Sequence, residues 1–233
     1  MEITYIGHSG FLVETDACYF VFDYYKGTLP PMKTDKPVFV FASHAHQDHY
    51  EPKVFDMLHE AGVRDVTAVL SDDILSKAYP QDVTVIPVGP CRTYELPCST
   101  TVYTLRSTDE GVAFLLQCPE GSVYHAGDLN DWVWPGESEA YNRAMTKNYR
   151  QEIARLDEYR WNYLEGSPID IACVPLDPRQ ETFYDRGMLG FLKKIPVFDV
   201  YPMHFWKQPE VIDRFLGEHP EYTDRIKKCA AFQ

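Results

Sequence analysis

Residues 38–49 read Val38-Phe39-Val40-Phe41-Ala42-Ser43-His44-Ala45-His46-Gln47-Asp48-His49. The first five are a short apolar run rich in β-branched and aromatic side chains, the pattern of a fully buried strand. Directly after it come three imidazoles and a carboxylate, a set poorly explained by packing. Imidazole and carboxylate oxygen suit zinc and its neighbours, and α/β proteins place their sites in polar loops at the ends of rigid strands. The spacing also divides the donors. His44 and His46 can turn toward one ion while Asp48 and His49 turn toward another.

Two remote stretches complete the pattern. Tyr124-His125-Ala126-Gly127-Asp128 and Tyr201-Pro202-Met203-His204-Phe205 each follow a strand-like apolar run with a single polar donor at its end. With H-x-H-x-D-H, a later Gly-Asp and a final His in this order, the chain resembles the metallo-β-lactamase superfamily. The resemblance runs nearly end to end, from Ile6-Gly7-His8-Ser9-Gly10 to Pro202-Met203-His204. Its opening Gly-His-Ser and closing Pro-Met-His are most similar to the branch of metal-dependent hydrolases that includes the L-ascorbate-6-phosphate lactonases. The resemblance implies an α/β fold, a four-layer αβ/βα sandwich, and a centre of one or two zinc ions, with manganese as the alternative. It assigns His44 and His46 to a first metal and Asp48, His49 and His204 to a second. Asp128 suits the bridge between them, because a carboxylate has two oxygens and Gly127 permits close backbone approach. Asp48 is the candidate catalytic residue, placed to hold an attacking water.

One element of the family pattern is missing. The first metal normally has a third His before the strand that leads to the Gly-Asp. Here that stretch reads Thr104-Leu105-Arg106-Ser107-Thr108-Asp109-Glu110-Gly111. Ser107 or Asp109 falls at the vacant place, and only Asp109 is a good ligand type. His125 is an odd number of residues from Asp128, so strand alternation sends it to the other face, as a core or supporting residue. Metal-bound imidazoles need a partner on their second nitrogen, and Asp23, at the end of an early strand, is a candidate for that role. His8 is expected near the site, as a substrate contact or a structural hydrogen-bonding group.

The chain has 233 residues, 45% of them hydrophobic and 14% aromatic, enough for one sizeable core or two packed sheets and too apolar for disorder. Its net charge of −13 disfavours a nucleic-acid partner, whose affinity would rest on Lys and Arg. A small-molecule substrate fits better. No stretch has the apolar length of a membrane span or a secretory leader, so the chain reads as cytoplasmic. The six cysteines (18, 91, 98, 118, 173 and 229) form no C-x-x-C pair and are expected mostly as free thiols in the core.

The two halves look alike. Gly10–Thr15 with Tyr19–Asp23, and Gly111–Leu116 with Val123–Asp128, are both hairpins ending in Asp, and a buried strand follows each, 38–43 and 169–175. Helices are expected at 52–61, 72–78, 138–164 and 209–216. The longest has Ser138 as cap, Gly166 and Pro168 as stop, and an apolar face through Tyr141, Met145, Tyr149, Ile153, Leu156, Tyr159 and Tyr163. Glu152 belongs with the charges of its other face. The whole reads as one domain with a cap-like helical insert at about 131–166. Trp132, Trp134 and Trp206 are candidate cleft walls, and Arg179 or Lys207 a candidate anion contact. The functional expectation is a metal-dependent hydrolase using a metal-bound hydroxide on a lactone, ester or phosphoester. The alternatives are a phosphodiesterase or nuclease, a di-iron oxidoreductase, which His46 argues against, and a non-catalytic metal-binding protein with a degenerate first site.

Overall fold

Twelve strands in two six-stranded sheets make up the centre of the computed structural model, which describes residues 1–228. The first sheet runs in chain order: β1 (Glu2–Gly7), β2 (Gly10–Glu14), β3 (Tyr19–Phe22), β4 (Val38–Ala42), β5 (Val66–Ser71) and β6 (Thr84–Val88). The second also keeps chain order: β7 (Thr93–Leu96), β8 (Thr100–Arg106), β9 (Val112–Cys118), β10 (Gly121–His125), β11 (Ile169–Pro175) and β12 (Val197–Met203). The first sheet has two antiparallel pairings followed by three parallel ones, and the second has three antiparallel followed by two parallel. β1-β2-β3 and β8-β9-β10 are antiparallel, whereas β3-β4-β5 and β10-β11-β12 are parallel. The duplication read from the two hairpins is therefore a duplication of topology.

Strand alternation explains the layers. Phe39 and Phe41 of β4 point between the sheets, against Phe20, Phe22, Val112 and Phe114. Val38, Val40 and Ala42 point the other way, to Val54, Phe55 and Leu58 of helix α1 (Lys53–Glu60). A strand buried on both faces must be apolar at every position, which is why 38–42 shows no polar alternation. The outer face of the second sheet is covered by α2 (Glu139–Tyr163), α3 (Arg186–Lys194) and α4 (Glu210–Glu218), through residues such as Ile153, Leu156, Phe191 and Phe215. Helix, sheet, sheet and helix make the expected four-layer αβ/βα sandwich. Among the described residues no helix is long and apolar enough to cross a membrane.

Helix α2 starts as expected, with Ser138 Oγ accepting from Tyr141 N, and stops where Gly166 N returns to Arg160 O. Its buried face is narrower than the sequence reading. Tyr141 and Tyr163 are exposed, while Glu152 is buried, its Oε2 accepting from Arg106 N at 3.2 Å and from Arg155 Nε at 3.2 Å. Partners of this kind remove the penalty that would otherwise keep Glu152 outside. The expected helix at 72–78 is a single 3-10 turn, Ser76–Ala78. Asp73 is drawn away to accept from Ala45 N at 2.8 Å, which leaves too few residues for a helical nucleus. Helix α3 lies outside the expected helices, although Met188, Phe191 and Leu192 have helical spacing. Among the described cysteines, Cys18 and Cys173 are buried, Cys98 and Cys118 half-buried and Cys91 exposed, so these thiols are less internal than expected. Cys229 lies outside the described residues.

Candidate metal centre

The parallel strands β4, β11 and β12 deliver their following residues to one end of the sandwich, and the β10 end supplies Gly127 and Asp128. The six residues read as ligands converge there. His49 Nε2 lies 3.2 Å and His204 Nε2 3.4 Å from Asp128 Oδ1, while His44 Nε2 lies 3.9 Å from Asp128 Oδ2. His44 Nε2 is 2.9 Å from His46 Nδ1, and His204 Nε2 is 4.0 Å from Asp48 Oδ2. The donors fall into two groups, each with ligand atoms within 4.8 Å of one another: His44, His46, Asp109 and Asp128, and His8, Asp48, His49 and His204. Asp128 lies between the groups, one oxygen toward each.

Gly127 shows why the Gly precedes the Asp. Its φ is +51°, and a Cβ there would lie 2.6 Å from the Cβ of Ser43. The turn after β10 therefore packs directly on the end of β4. His8, Asp23 and His204 also have left-handed backbones, with φ of 56°, 41° and 61°. For non-glycine residues such conformations cost on the order of 1–3 kcal/mol each and cluster where function demands a direction.

Two of the imidazoles are held from behind. Asp23, fully buried, takes His49 Nδ1 at 2.7 Å and also accepts from Ser43 N and Oγ. Asp177, fully buried after β11, takes His204 Nδ1 at 2.9 Å and is itself held by Arg179 Nε at 2.9 Å. Asp23, expected as an imidazole's partner, lies against His49 Nδ1. Asp177, absent from the sequence expectation, carries the same signal as Asp23, an Asp closing a buried strand. A carboxylate on Nδ1 leaves Nε2 free to face a metal.

A carboxylate lies near the place of the missing imidazole. Asp109 Oδ2 lies 3.6 Å from His46 Nδ1. Ser107 instead turns inward, its Oγ accepting from Asp109 N at 3.1 Å. His125 is a core residue: its ring stacks on Phe22 at 4.9 Å and its Nε2 lies 2.8 Å from Ser9 O. Trp132 donates Nε1–H to Asp128 O at 2.8 Å, and its ring meets His204 edge-on at 5.5 Å. Trp134 stacks on Trp132, and the Arg179 guanidinium lies over Trp206 at 4.6 Å. The 131–134 segment thus borders the cluster, while α2 beyond it joins the outer layer. A groove of about 870 Å³ runs along α2 past Asn142, Arg150, Phe183 and Arg186, and none of the donors lines it.

Electrostatics favour a cation. Burial would raise the carboxyl of Asp128, but the His204 and His49 charges outweigh it and hold the group well below the carboxylate range. Asp48, Asp23 and Asp177 show the same balance of burial overcome by imidazole or guanidinium neighbours. His44 is pushed down to about 4 by burial and then by His49. His49 is raised despite burial, because Asp128 and Asp23 flank it. Asp109 is raised, by burial and then by Asp128. Carboxylates held ionised beside these imidazoles favour a cation among them, and a bound metal would take the place of the proton that Asp128 and Asp23 draw onto His49.

The donors fit divalent ions by a second criterion. Buried His8 Nε2, His49 Nε2, His204 Nε2 and Asp128 Oδ1 have no aligned hydrogen-bond partner. Bonds of about 2.1 Å to one ion place tetrahedral donors about 3.4 Å apart, close to the separations above.

Comparison with known proteins agrees. The family model described as Beta-lactamase superfamily domain matches residues 2–140, and the chain belongs to that family. A UPF0173 metal-dependent hydrolase of Pyrobaculum calidifontis is 31% identical over 140 residues, 55% of this chain and 61% of that protein. The chain thus matches about three-fifths of the length of that curated relative. Among solved structures, Igni18, a metallo hydrolase from Ignicoccus hospitalis, superposes with a TM-score of 0.64 at 19% identity, over 97% of this chain and 93% of that one. CmlA, a diiron β-hydroxylase from Streptomyces venezuelae, superposes with a TM-score of 0.60 at 13% identity, over 97% of this chain and 52% of that one. At these identities the two structures show the fold alone.

Proposed function

We propose that the protein is a metal-dependent hydrolase acting on a small-molecule lactone, ester or phosphoester. The observation that carries this reading is the set of buried donor atoms with no aligned hydrogen-bond partner, His49 Nε2, His204 Nε2 and Asp128 Oδ1, facing one another at 3.2 and 3.4 Å. His44, His46, Asp109 and Asp128 would hold one ion, and Asp48, His49, Asp128 and His204 the other. Divalent ions bound there would acidify a water and polarise the group under attack.

The chain's own residues would do the rest. Asp48 is partly open to solvent, its side chain 25% exposed, and is held ionised. It would orient the attacking water and accept its proton. Asp23 and Asp177 would keep the His49 and His204 rings from turning. Trp132, Trp134 and Trp206 would wall the approach and exclude bulk water. Arg179 has its guanidinium fixed by Asp177 over Trp206, and would offer a positioned positive edge to a substrate anion. The relatives named metal-dependent hydrolases support the class of reaction, and the −13 net charge supports a small substrate over nucleic acid. Zinc is the favoured metal, with manganese as the alternative.

Metal analysis of the purified protein, with a screen of chromogenic esters, lactones and phosphodiesters, tests this. Asp128→Ala should abolish hydrolysis and lower metal content. Full retention of both would refute the assignment. One observation favours a second reading. Asp109 makes the first group two imidazoles and two carboxylates, a set that also suits iron. Iron in the purified protein together with oxygen-dependent turnover would select the oxidoreductase.

A further inference from the structure

The second donor group holds one imidazole more than the family pattern supplies. We infer that His8 is a direct ligand of the second metal site, so that the imidazole absent from the first site is made up at the second. This rests on the metal-dependent reading above.

Four observations converge on His8. Its Nε2 is buried and has no aligned hydrogen-bond partner, like His49 Nε2, His204 Nε2 and Asp128 Oδ1. It lies 3.2 Å from Asp48 Oδ2, and its ligand atom is within 4.8 Å of those of Asp48, His49 and His204. A structural hydrogen bond would point the N–H at the carboxylate, whereas donors around one ion approach each other without aligning. The ring is also locked in place, with its centroid 4.3 Å from His204 and 4.6 Å from Trp206. Finally, His8 and Ser9 are the two residues that turn the chain between β1 and β2, where Gly7 pairs with Gly10. His8 alone of the two has a positive φ, at a position that two-residue turns of this kind normally give to glycine. The carbonyl of His8 accepts from His204 N at 3.3 Å, which ties this turn to the ligand after β12. A side chain kept at an unfavourable turn position, buried and aimed at three other donors, is what a ligand requires.

The two sites then differ in kind. The second has three imidazoles (His8, His49, His204) with Asp48 and a share of Asp128. The first has two imidazoles with Asp109 and the other share of Asp128. Both suit a borderline divalent cation such as zinc, cobalt(II) or iron(II). The second, nearly filled by protein donors, would be the tighter, and the first would keep open positions for water and substrate.

The test uses the full chain, stripped by chelator and titrated with zinc and with cobalt(II). His8→Gly removes the ring and accepts the left-handed backbone, and His8→Asn gives the same reading should the glycine variant not fold. Loss of a partner behind a ligand costs about 10–100-fold in metal affinity, and loss of the ligand itself should cost at least about tenfold at the tighter site. The visible spectrum of cobalt at that site should change, and free imidazole should restore it in His8→Gly. If the wild type binds ions and the variant matches it in zinc affinity and cobalt spectrum, the inference is overturned. If the His8 dependence is seen but no ester, lactone or phosphodiester is hydrolysed, the proposed function fails and His8 stands as a ligand.

Discussion

Removing the carboxylate behind His204 isolates the role of support from that of ligation. Asp177 is fully buried, accepts from Arg179 and receives His204 Nδ1 at 2.9 Å. In Asp177→Ala the His204 ring loses its Nδ1 partner and is free to turn or change tautomer. Metal affinity at the second site should fall about 10–100-fold, which is about 1.4–2.8 kcal/mol. The metal-free protein should also lose stability, because a buried nitrogen left without a partner costs about 1–3 kcal/mol. For a chain of this size that is a fall in Tm of roughly 2–12 °C. Asp177→Asn keeps an acceptor for Nδ1 and loses only the charge pair with Arg179, whose side chain is 45% exposed. Such a half-exposed pair is worth no more than about 1 kcal/mol, so Asn should recover most of the affinity. Chelator competition on the stripped protein measures the first effect and thermal denaturation the second. An Ala variant that binds ions as tightly as the wild type would show that His204 is oriented by its packing against Trp132 and His8, not by Asp177.

Three further outcomes follow from the geometry. Dialysis of the wild type against a weak chelator should leave about one tightly held ion per chain, since the first group lacks an imidazole; two ions of equal affinity, counted by metal analysis, would show Asp109 to be a full replacement. Ser107→His should tighten the weaker site if its ring can leave the inward position where Ser107 now accepts from Asp109 N, and an unchanged titration would place the vacant position elsewhere. Gly111→Ala should both destabilise the fold and weaken the first site. Gly111 has φ +68°, and a Cβ there would run into Ser43 O and lie 2.7 Å from His44 Cβ; a variant with wild-type Tm and metal affinity would contradict that.

Much of this protein is legible in its linear pattern. The run 38–42 announces a strand buried on both faces, and its two sides indeed meet the other sheet and α1. His44, His46, Asp48, His49, Asp128 and His204 can be singled out because each sits where an apolar strand ends, and the ends of β4 in one sheet and of β10 and β12 in the other meet at one end of the sandwich. Asp23 follows by the same rule. Local periodicity also sets the limits of α2, whose cap and stop are chemical features of single residues.

Other features depend on which strands lie side by side. That Asp177 backs His204 is a consequence of β11 and β12 pairing in parallel, with Pro175 opposite Met203, so that the residues just beyond them emerge together. That Glu152 is buried depends on Arg106 N, 46 positions away in the chain, needing an acceptor. That Asp109 faces His46 while Ser107 turns inward is decided by how the 107–111 loop folds onto the end of β4. Above all, His8 reaches the donor cluster because the β1–β2 turn is tied to His204 across nearly the whole chain length. Sequence periodicity reports which face of an element is apolar, because that depends on neighbours within a few residues. It carries no information on which remote turn will fill the last gap around a site, because that is settled by sheet register and by which buried polar atoms still lack a partner once the sheets have closed.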